Sequence, residues 1–233
     1  MILSIGMIVK NEEKTLRKCL ESLKPILANI KSELIIYDTG STDSTIEIAR
    51  EFTDNVFEIE WRGDFAWARN HTIRRARGKW FMYLDADEIF LDTSDLVNFF
   101  NSGEYRKYNS ASYGLKNFKS GGKFSYFNVN RLYKLEKDTV FRDKIHEYIT
   151  PVAPIKSIKS LAEHHGYKLD DIQTRFSKHE RNIKPLLEMY EEEFPKSLRT
   201  INHIIDSYGS VDDLIKTREF LISYRTSKTK PTK

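Results

Sequence analysis

The chain has 233 residues, of which 39% are hydrophobic and 31% are charged, and its formal net charge at pH 7 is +4. This is the composition of a globular protein, and the length suits one large domain or one domain with a small appendage. The disordered and collagen-like classes are excluded. Four basic side chains in the last nine residues, without any acid, account for the whole excess of positive charge. The rest of the chain is therefore neutral, and its composition gives no reason to expect a nucleic-acid partner.

The first half of the chain alternates short apolar runs with segments of helical periodicity. The apolar runs predict strands at residues 2–9, 34–37, 56–59 and 80–84. Helices are predicted between them, at residues 16–27, 45–52 and 64–76. Asp64 is placed to cap the last of these helices, and residues 44–47 have the pattern of a capping box. Strands and helices in this alternation favour an α/β protein with a parallel sheet.

The pattern changes after residue 91. A short helix is expected at residues 95–100, short strands at 111–165 and helices from residue 169 onward. Pro185 falls in one of these helices, which it would kink unless it lies in the first turn. We therefore predict a first domain at residues 1–168, a helical extension at 169–225 and a basic, disordered tail at 226–233.

A polar segment follows each of the four predicted strands. These segments are residues 10–13, 38–43, 61–70 and 85–88. Each has a structural explanation of its own, since Asn11 can cap a helix and Asp38 can form a turn with Ser41. In an open parallel sheet, however, ligands bind beyond the carboxyl ends of the strands. Four such segments along one rim favour a ligand site there.

The fourth segment contains two acids, Asp85 and Asp87. In an extended chain, alternate residues point to the same side, so the two carboxylates would face one point, with Ala86 turned away. Two neighbouring carboxylates repel each other unless a cation or a proton lies between them. Mg²⁺ and Mn²⁺ prefer oxygen ligands and often bridge a protein carboxylate to substrate phosphates. The pair therefore predicts a divalent-cation site.

The usual phosphate-binding loops are missing from this sequence. Neither a P-loop nor a glycine-rich dinucleotide fingerprint follows the first strand, so kinases and dinucleotide-dependent dehydrogenases are disfavoured. Asp38 can instead accept a hydrogen bond from a base N–H group, and Asn11 can bond a base carbonyl.

Four segments, in this order, resemble the motifs of family 2 glycosyltransferases. They are residues 7–13 (MIVKNEE), 38–43 (DTGSTD), 64–70 (DFAWARN) and 84–88 (LDADE). The subgroup resembled includes lipopolysaccharide-core glycosyltransferases and the peptide S-glycosyltransferases of bacteriocin clusters. The similarity continues more thinly at residues 131–133, 145–147 and 164–167.

The resemblance implies a GT-A fold, which is that of nucleotide-diphospho-sugar transferases. This fold has a mixed, mostly parallel sheet with helices on both faces, and here a C-terminal helical extension would follow it. Residues 1–92 would be the nucleotide-binding half and residues 93–168 the acceptor-binding half. The resemblance also implies a nucleotide-diphosphate sugar as donor, most often a UDP-sugar, with Mn²⁺ or Mg²⁺ as cofactor and an inverting transfer.

The resemblance further implies which residues contact the donor. They are Ile8, Asn11, Glu13, Asp38, Arg69, Asp85, Ala86 and Asp87. Asp38 would read the base, Asp85 would lie near the ribose, and Asp87 would hold the cation on the diphosphate. Arg69 would face the base or the diphosphate.

The acceptor must lose a proton, and an acidic residue on the opposite side of the sugar can take it. Glu147 is the first candidate for this catalytic base, with Asp143 and Glu88 as alternatives. Glu147 can equally be a salt-bridged strand residue, and a thiol acceptor would need less help because thiols ionise near pH ~8.5. His146 and His164 are candidate further cation ligands, although lone histidines are more often structural.

Two other classes of function stay open on the sequence alone. A nucleotidyltransferase that makes nucleotide sugars should carry a basic, glycine-rich loop after the first strand, where this chain has residues 10–13. A non-catalytic module that binds nucleotide sugars is the second alternative, and intact Asp85 and Asp87 argue against it.

The expected partners are the donor and an acceptor, which can be a glycan, a lipid-linked molecule or a peptide. No apolar run approaches the roughly 20 residues of a membrane span, and peripheral contact with a membrane is left open. The apolar residues of the C-terminal helices favour pairing with a second copy, as a homodimer. A single cysteine, Cys19, which cannot form an internal disulfide, favours a cytoplasmic location.

Overall fold

An eight-stranded mixed sheet organises the first part of the chain in a computed structural model. The structure describes residues 1–118, 123–164, 172–193, 197–211 and 213–228. The chain divides into two compact units, of which the first comprises Met1–Arg142 with Glu147–Leu169 and the second comprises Asp143–His146 with Asp170–Lys233. The domain boundary predicted between residues 168 and 169 and the similarity at 165–167 lie outside the described residues.

The order of strands in the sheet is β3-β2-β1-β4-β7-β6-β8-β5. The strands are β1 (Leu3–Val9), β2 (Ser32–Asp38), β3 (Val56–Glu58), β4 (Trp80–Tyr83), β5 (Glu88–Asp92), β6 (Ser110–Phe118), β7 (Phe124–Lys134) and β8 (Ile155–His164). The helices of this unit are α1 (Leu16–Ser22), α2 (Lys24–Asn29), α3 (Thr45–Arg50), α4 (Phe65–Arg75) and α5 (Ser94–Asn101). The predicted mixed, mostly parallel sheet with helices is thereby confirmed.

The first four strands run parallel and bring the predicted motifs to one edge of the sheet. β1 lies between β2 and β4, with Val9 opposite Asp38 and Gly6 opposite Tyr83. Because all the carboxyl ends of these strands point the same way, the segments that follow them lie side by side. This register is what assembles the candidate site.

Helices pack on both faces of the sheet, and the alternation of side chains along β4 shows why. Trp80 and Met82 belong to the larger apolar core, which includes Leu16 of α1. Phe81 belongs to a second apolar cluster on the other face, which includes Ala66 of α4. Successive residues of a strand point to opposite faces, so a strand that is apolar throughout is buried from both sides.

Two local predictions need correction. The helix predicted at residues 16–27 is interrupted at Leu23, and Pro25 lies in the first turn of α2, where its missing N–H is tolerated. The capping box predicted at Ser44 is wrong, because the Ser44 side chain makes no capping hydrogen bond. Asp43 takes that role, since its carboxylate accepts from the Thr45 backbone N–H at 3.1 Å.

The described residues of the second unit form three helices, α6 (Ile172–Glu192), α7 (Leu198–Gly209) and α8 (Leu214–Lys228). Pro185 lies inside α6 rather than in its first turn. Ser197 caps α7 by accepting from the backbone N–H of Arg199 at 3.1 Å. α8 includes residues 226–228, so the predicted disordered tail begins too early, and residues 229–233 lie outside the described part of the chain. Among the described residues, no helix combines the length and the apolar composition that crossing a membrane requires.

The first testable prediction concerns Gly78, where the chain passes close to β1. A β-carbon at this position would lie 2.6 Å from the Ser4 backbone nitrogen and 2.7 Å from the Trp80 carbonyl oxygen. Since backbone atoms cannot move away cheaply, we expect Gly78→Ala to lower the free energy of unfolding by about 1–3 kcal/mol in urea titrations. Gly209→Ala is the control, because among the described residues no heavy atom beyond its chain neighbours and its own helix backbone would lie within 4 Å of a β-carbon there. Equal stabilities of the two variants would contradict this packing.

Candidate functional site

The loops that follow β1 and β2 are joined by side-chain hydrogen bonds. Asn11 donates its backbone N–H to the Ser41 hydroxyl at 2.8 Å, and its side-chain oxygen accepts from the Thr42 N–H at 2.8 Å. Glu13 accepts from the Ser44 N–H at 3.3 Å. Two of the predicted donor-binding residues, Asn11 and Glu13, therefore hold the β2–α3 loop in place. A base carbonyl would have to use the amide nitrogen of Asn11.

Asp38 ends β2 and is almost completely buried. Its carboxylate accepts from the backbone N–H groups of Gly40 and Ser41, both at 2.8 Å, and from the Ser41 hydroxyl. Asp38 thus forms the turn that the sequence offered as its structural explanation. An ionised carboxylate has about four acceptor positions, so about one remains for a base N–H. Ile8, the neighbouring donor-binding candidate, lies opposite Tyr37 in the β1–β2 register.

The α4 helix positions Arg69. The Asp64 carboxylate accepts from the Trp67 N–H at 2.7 Å, which confirms the predicted cap and fixes where the helix begins. Arg69 then lies on the buried side of α4, with only 4% of its surface exposed. Its guanidinium lies over the rings of Tyr83 and Phe141, at 5.1 and 5.8 Å from the ring centroids.

Arg69 and Arg131 form a buried charge network with three acids. Arg69 binds the Asp85 carboxylate and donates from Nε to Glu147 at 2.6 Å. Arg131 donates from Nη2 to Asp85 at 3.1 Å and to Glu88 at 2.5 Å. The structure therefore brings together the predicted Arg69, Asp85 and Glu147, and adds Arg131 to them.

The network also determines the ionisation of its members. Burial alone would raise the pKa of Asp85, but the guanidiniums of Arg69 and Arg131 hold it well below its usual range. The same ion pairs hold the pKa values of both arginines above the usual value, against the opposing effect of burial. Burial raises the pKa of Glu88, and Arg131 only partly offsets this increase.

An extended chain would make the two acids of the fourth motif face one point, but the chain is not extended here. The Glu88 backbone N–H donates to the Asp85 carbonyl at 3.1 Å, so residues 85–88 form a turn. Asp85 faces the two arginines, whereas Asp87 lies 3.1 Å from the Nε2 atom of His164. The predicted two-acid geometry is therefore wrong, because the turn directs Asp85 and Asp87, which flank Ala86, to different partners.

His164, at the end of β8, is the partner of Asp87. Its Nδ1 atom lies 3.0 Å from the Asn117 side-chain oxygen, which an Nδ1–H group can bond. Burial lowers the pKa of His164, but the neighbouring acids raise it, and Asp87 contributes most of this increase. The pKa of His164 is therefore raised overall. In this contact the Nε2–H group of His164 donates to the Asp87 carboxylate; if a cation replaced that proton, neutral His164 with its proton on Nδ1 would turn the Nε2 lone pair to the cation. A carboxylate and an imidazole nitrogen oriented by a hydrogen bond behind it suit a divalent cation.

Within the described residues, no group of three or more His, Cys, Asp or Glu side chains is arranged to hold a metal ion. Asp87 and His164 would therefore supply only part of a coordination shell. Mg²⁺ and Mn²⁺ commonly take their remaining ligands from substrate phosphates and water. The pair fits a cation that arrives together with a phosphorylated substrate.

Asp143 and His146 belong to the second unit, where both contact α7. The Asp143 carboxylate pairs with the Arg199 guanidinium, which also donates to the His146 carbonyl oxygen at 2.5 Å. The His146 ring stacks on His203, with centroids 3.8 Å apart. Burial, together with His146 and Arg199, lowers the pKa of His203 to about 4, so His203 is neutral at pH 7. Asp143 as base and His146 as cation ligand stay predictions.

Two members of the site, Arg131 and Asn117, were not assigned by the sequence. The signal available for Arg131 was a single charged residue between Val129 and Leu132, because a charge in a buried strand needs a partner. Asn117 carries no comparable signal, since an asparagine next to a predicted turn is ordinary.

The second testable prediction concerns Arg131. Arg131→Met would leave Glu88, whose side chain is 1% exposed, without its cation. We expect the free energy of unfolding to fall by about 3–5 kcal/mol, and Glu88→Gln in the same chain to restore part of the loss. Arg50→Met is the control, because its pair with Glu58 is exposed and should be worth less than ~1 kcal/mol. Equal losses in both single variants, measured by urea unfolding, would show that the network does not stabilise the fold.

The chain resembles several known proteins. Residues 4–156 match the sequence model of the family described as "Glycosyl transferase family 2". The SPbeta prophage-derived glycosyltransferase SunS of Bacillus subtilis is 29% identical over 237 aligned positions, which cover 92% of this chain and 52% of SunS. The lipopolysaccharide core biosynthesis glycosyltransferase LpsC of Rhizobium meliloti is 34% identical over 91 positions, which cover 37% of this chain and 32% of LpsC. The chain spans about half the length of SunS.

A solved structure shares the fold. The crystal structure of residues 1–349 of TarS from S. aureus superposes with a TM-score of 0.53 at 13% identity, and covers 94% of this chain and 74% of that one. The same segment of TarS in complex with UDP gives a TM-score of 0.53 at 14% identity. At this identity the likeness concerns the fold alone. Since the family match extends over more than half of the sequence, the chain belongs to glycosyl transferase family 2.

Proposed function

We propose that this chain transfers a sugar from a nucleotide-diphosphate sugar to an acceptor, with Mn²⁺ or Mg²⁺ held by Asp87 and His164. The observation that carries the proposal is the 3.1 Å approach of the Asp87 carboxylate to the His164 Nε2 atom, beside the carboxyl edge of the parallel strands. Membership of family 2 supplies the reaction class. A complex of TarS with UDP suggests UDP as the first nucleotide to test.

Each donor-site residue has a proposed role that its contacts allow. When bound, the cation would neutralise charge on the leaving diphosphate. Asp85 keeps 36% of its side chain exposed despite its two arginines, so it can still accept from a ribose hydroxyl. Arg69 and Arg131 hold Asp85 ionised for that contact. Asp38, with Ile8, Asn11 and Glu13 around it, would receive the base.

The candidates for the catalytic base are carboxylates that already have arginine partners. Glu147 accepts from the Arg69 Nε–H at 2.6 Å and is 13% exposed, and Asp143 pairs with Arg199. A carboxylate paired with a guanidinium is a weaker base, because the ion pair stabilises its ionised form. Glu147 and Asp143 are the proposed candidates for the base of an inverting transfer, because Glu88, the third candidate, is only 1% exposed and is paired with Arg131. A thiol acceptor would reduce what either has to do, since thiols ionise near pH ~8.5.

The class of acceptor, the oligomeric state and the cellular location are also proposed. A glycan, a lipid-linked molecule and a peptide are the acceptor classes, and similarity to LpsC favours a glycan. Apolar side chains exposed on α7 and α8, such as Leu198 and Ile215, support the expected homodimer. The buried, unpaired Cys19 is compatible with the expected cytoplasmic location.

The non-catalytic module is the alternative that needs an experiment, and Asp87 is the residue to change. We expect the chain to hydrolyse a UDP-sugar slowly in the presence of Mn²⁺, and Asp87→Asn to lower this rate about 100-fold or more, because the diphosphate loses its cation. Asp92→Asn, a change of an exposed acid that bonds Ser94, should leave the rate unchanged. UDP release is measured by a coupled assay. No hydrolysis of any UDP- or GDP-sugar would favour the non-catalytic module, and equal rates in wild type and Asp87→Asn would refute the metal assignment.

Asn117 offers a test of the cation site without turnover. Asn117→Leu removes the hydrogen bond that orients His164, and such supporting residues typically change metal affinity about 10–100-fold. We therefore expect about tenfold weaker Mn²⁺ binding in the presence of UDP, measured by electron paramagnetic resonance of free Mn²⁺. The matched control is Asn29→Ala, because Asn29 is exposed and its side chain donates to the Pro25 carbonyl oxygen within α2. An unchanged affinity in Asn117→Leu would exclude His164 as a ligand oriented in this way.

A further inference from the structure

Asn70 joins α4 to a buried segment that lies outside the sheet. Its side-chain Nδ2–H group donates to the Phe141 carbonyl oxygen at 3.0 Å, and its Oδ1 atom accepts from the Phe141 backbone N–H at 2.8 Å. Phe141 is only 3% exposed and belongs to no strand of the described part of the chain. Buried backbone groups need hydrogen-bond partners. The Asn70 amide therefore makes the two bonds that a neighbouring strand would otherwise make.

A short closed loop follows Phe141. Arg142 and Tyr148 form an isolated antiparallel bridge, in which the Arg142 N–H donates to the Tyr148 carbonyl oxygen at 2.9 Å and the Tyr148 N–H donates back at 3.2 Å. Glu147 immediately precedes Tyr148. Ile149, just beyond the bridge, lies in the same apolar cluster as Phe141. We call residues 141–142 the first arm and residues 147–148 the second arm. Because the bridge ties the arms together, a contact that fixes the first arm also fixes the second.

Two consecutive residues of α4 hold the two arms. Asn70 holds the first arm at Phe141, and Arg69 holds the second arm by donating from Nε to Glu147 at 2.6 Å. Successive helical residues point about 100° apart, so neighbouring side chains can reach different arms. α4 and both arms belong to the first compact unit.

The ion pair with Arg69 does not by itself determine where Glu147 lies. The Nη1 group of Arg69 has no hydrogen-bond partner among the described residues, so the guanidinium offers the carboxylate another donor. Asn70 restricts this freedom, because its two bonds fix the backbone from which Glu147 projects. A general base must lie within about 2.6–3.2 Å of the group that it deprotonates, and a displacement of ~1 Å can lower the rate about 100-fold.

We propose that Asn70 is a positioning residue that keeps Glu147 in place as the catalytic base. This inference rests on the proposed function and gives a role to the last residue of the motif at residues 64–70. Asn70 then acts on the rate through Glu147. An asparagine that only supported the packing of Phe141 would change the rate by the same factor whether or not Glu147 is present.

The first measurement follows the contact itself and needs no turnover. The Arg69 Nε–H is protected from exchange with water by its bond to Glu147, and NMR on the full chain measures the exchange rate. We expect Asn70→Leu to speed this exchange about tenfold. Asn70→Ala removes the same two bonds without adding bulk, and it should give the same result if the leucine variant does not fold.

The matched control for this measurement is Asn109→Leu. Asn109 also donates from its side-chain amide to a backbone carbonyl, that of Ala153 at 2.7 Å, but it lies at the opposite edge of the sheet, where β4 begins. The Arg69 Nε–H should exchange in this variant as in wild type. Unchanged exchange in the Asn70 variants, or equal acceleration in Asn109→Leu, would overturn the proposal.

The second measurement is a double-mutant cycle on the hydrolysis of a UDP-sugar, in which water takes the place of the acceptor. We expect Asn70→Leu to lower kcat about tenfold and to leave KM for the donor within about twofold. In the Glu147→Gln background the same change should lower kcat no further, because the group that it positions is already absent. The same loss in both backgrounds would show that Asn70 is purely structural.

Failure of the proposed function gives a different result from failure of this inference. If no UDP- or GDP-sugar is hydrolysed, the transferase assignment is refuted, and the exchange of the Arg69 Nε–H still decides whether Asn70 holds Glu147. If hydrolysis depends on Asp87 but is unchanged in Glu147→Gln, the donor site stands and this inference is overturned.

Discussion

The carboxyl edge of the sheet depends on the ion pairs of Asp85. Two guanidiniums, from α4 and β7, lie almost completely inside the protein, which is tolerable only if carboxylates accompany them. Asp85 forms ion pairs with both arginines, and Arg131 forms a second ion pair with Glu88. Because these charges come from separate strands and a helix, pairing them fixes how the segments meet.

The same pairing separates the roles of the two acids that flank Ala86. A cation that approached Asp85 would have to compete with Arg69 and Arg131 for the carboxylate. The partner of Asp87 is instead His164, which can lose its charge. The Asn117 side chain orients the His164 ring through Nδ1. In the proposed function, Asp87 would therefore bind the metal ion, and Asp85 would form hydrogen bonds with the substrate while it stays paired with the two arginines.

The sequence predicted those features that depend on local patterns. Unbroken apolar runs identified the buried strands, such as β1, and the strand ends identified the edge at which Asp38 and Asp85 lie. Asp64 was recognised as a cap because a cap acts within one helical turn. The turn at residues 85–88 was missed, since the extended pattern of β4 ends without a glycine or proline to mark it. Arg131 is 46 positions from Asp85 and Asn117 is 47 positions from His164, and no local sequence pattern predicts contacts at such separations.

A crystal structure of the chain grown with Mn²⁺ and UDP tests the central claim most directly. Anomalous scattering locates manganese independently of any assumption about its ligands. The account predicts one manganese peak between the Asp87 carboxylate and the His164 Nε2 atom, at about 2.0–2.2 Å from each, with diphosphate oxygens completing the shell and with Asp85 still bound to its two arginines. A diphosphate bound without manganese, or manganese bound by Asp85 after release of Arg69 and Arg131, would contradict it.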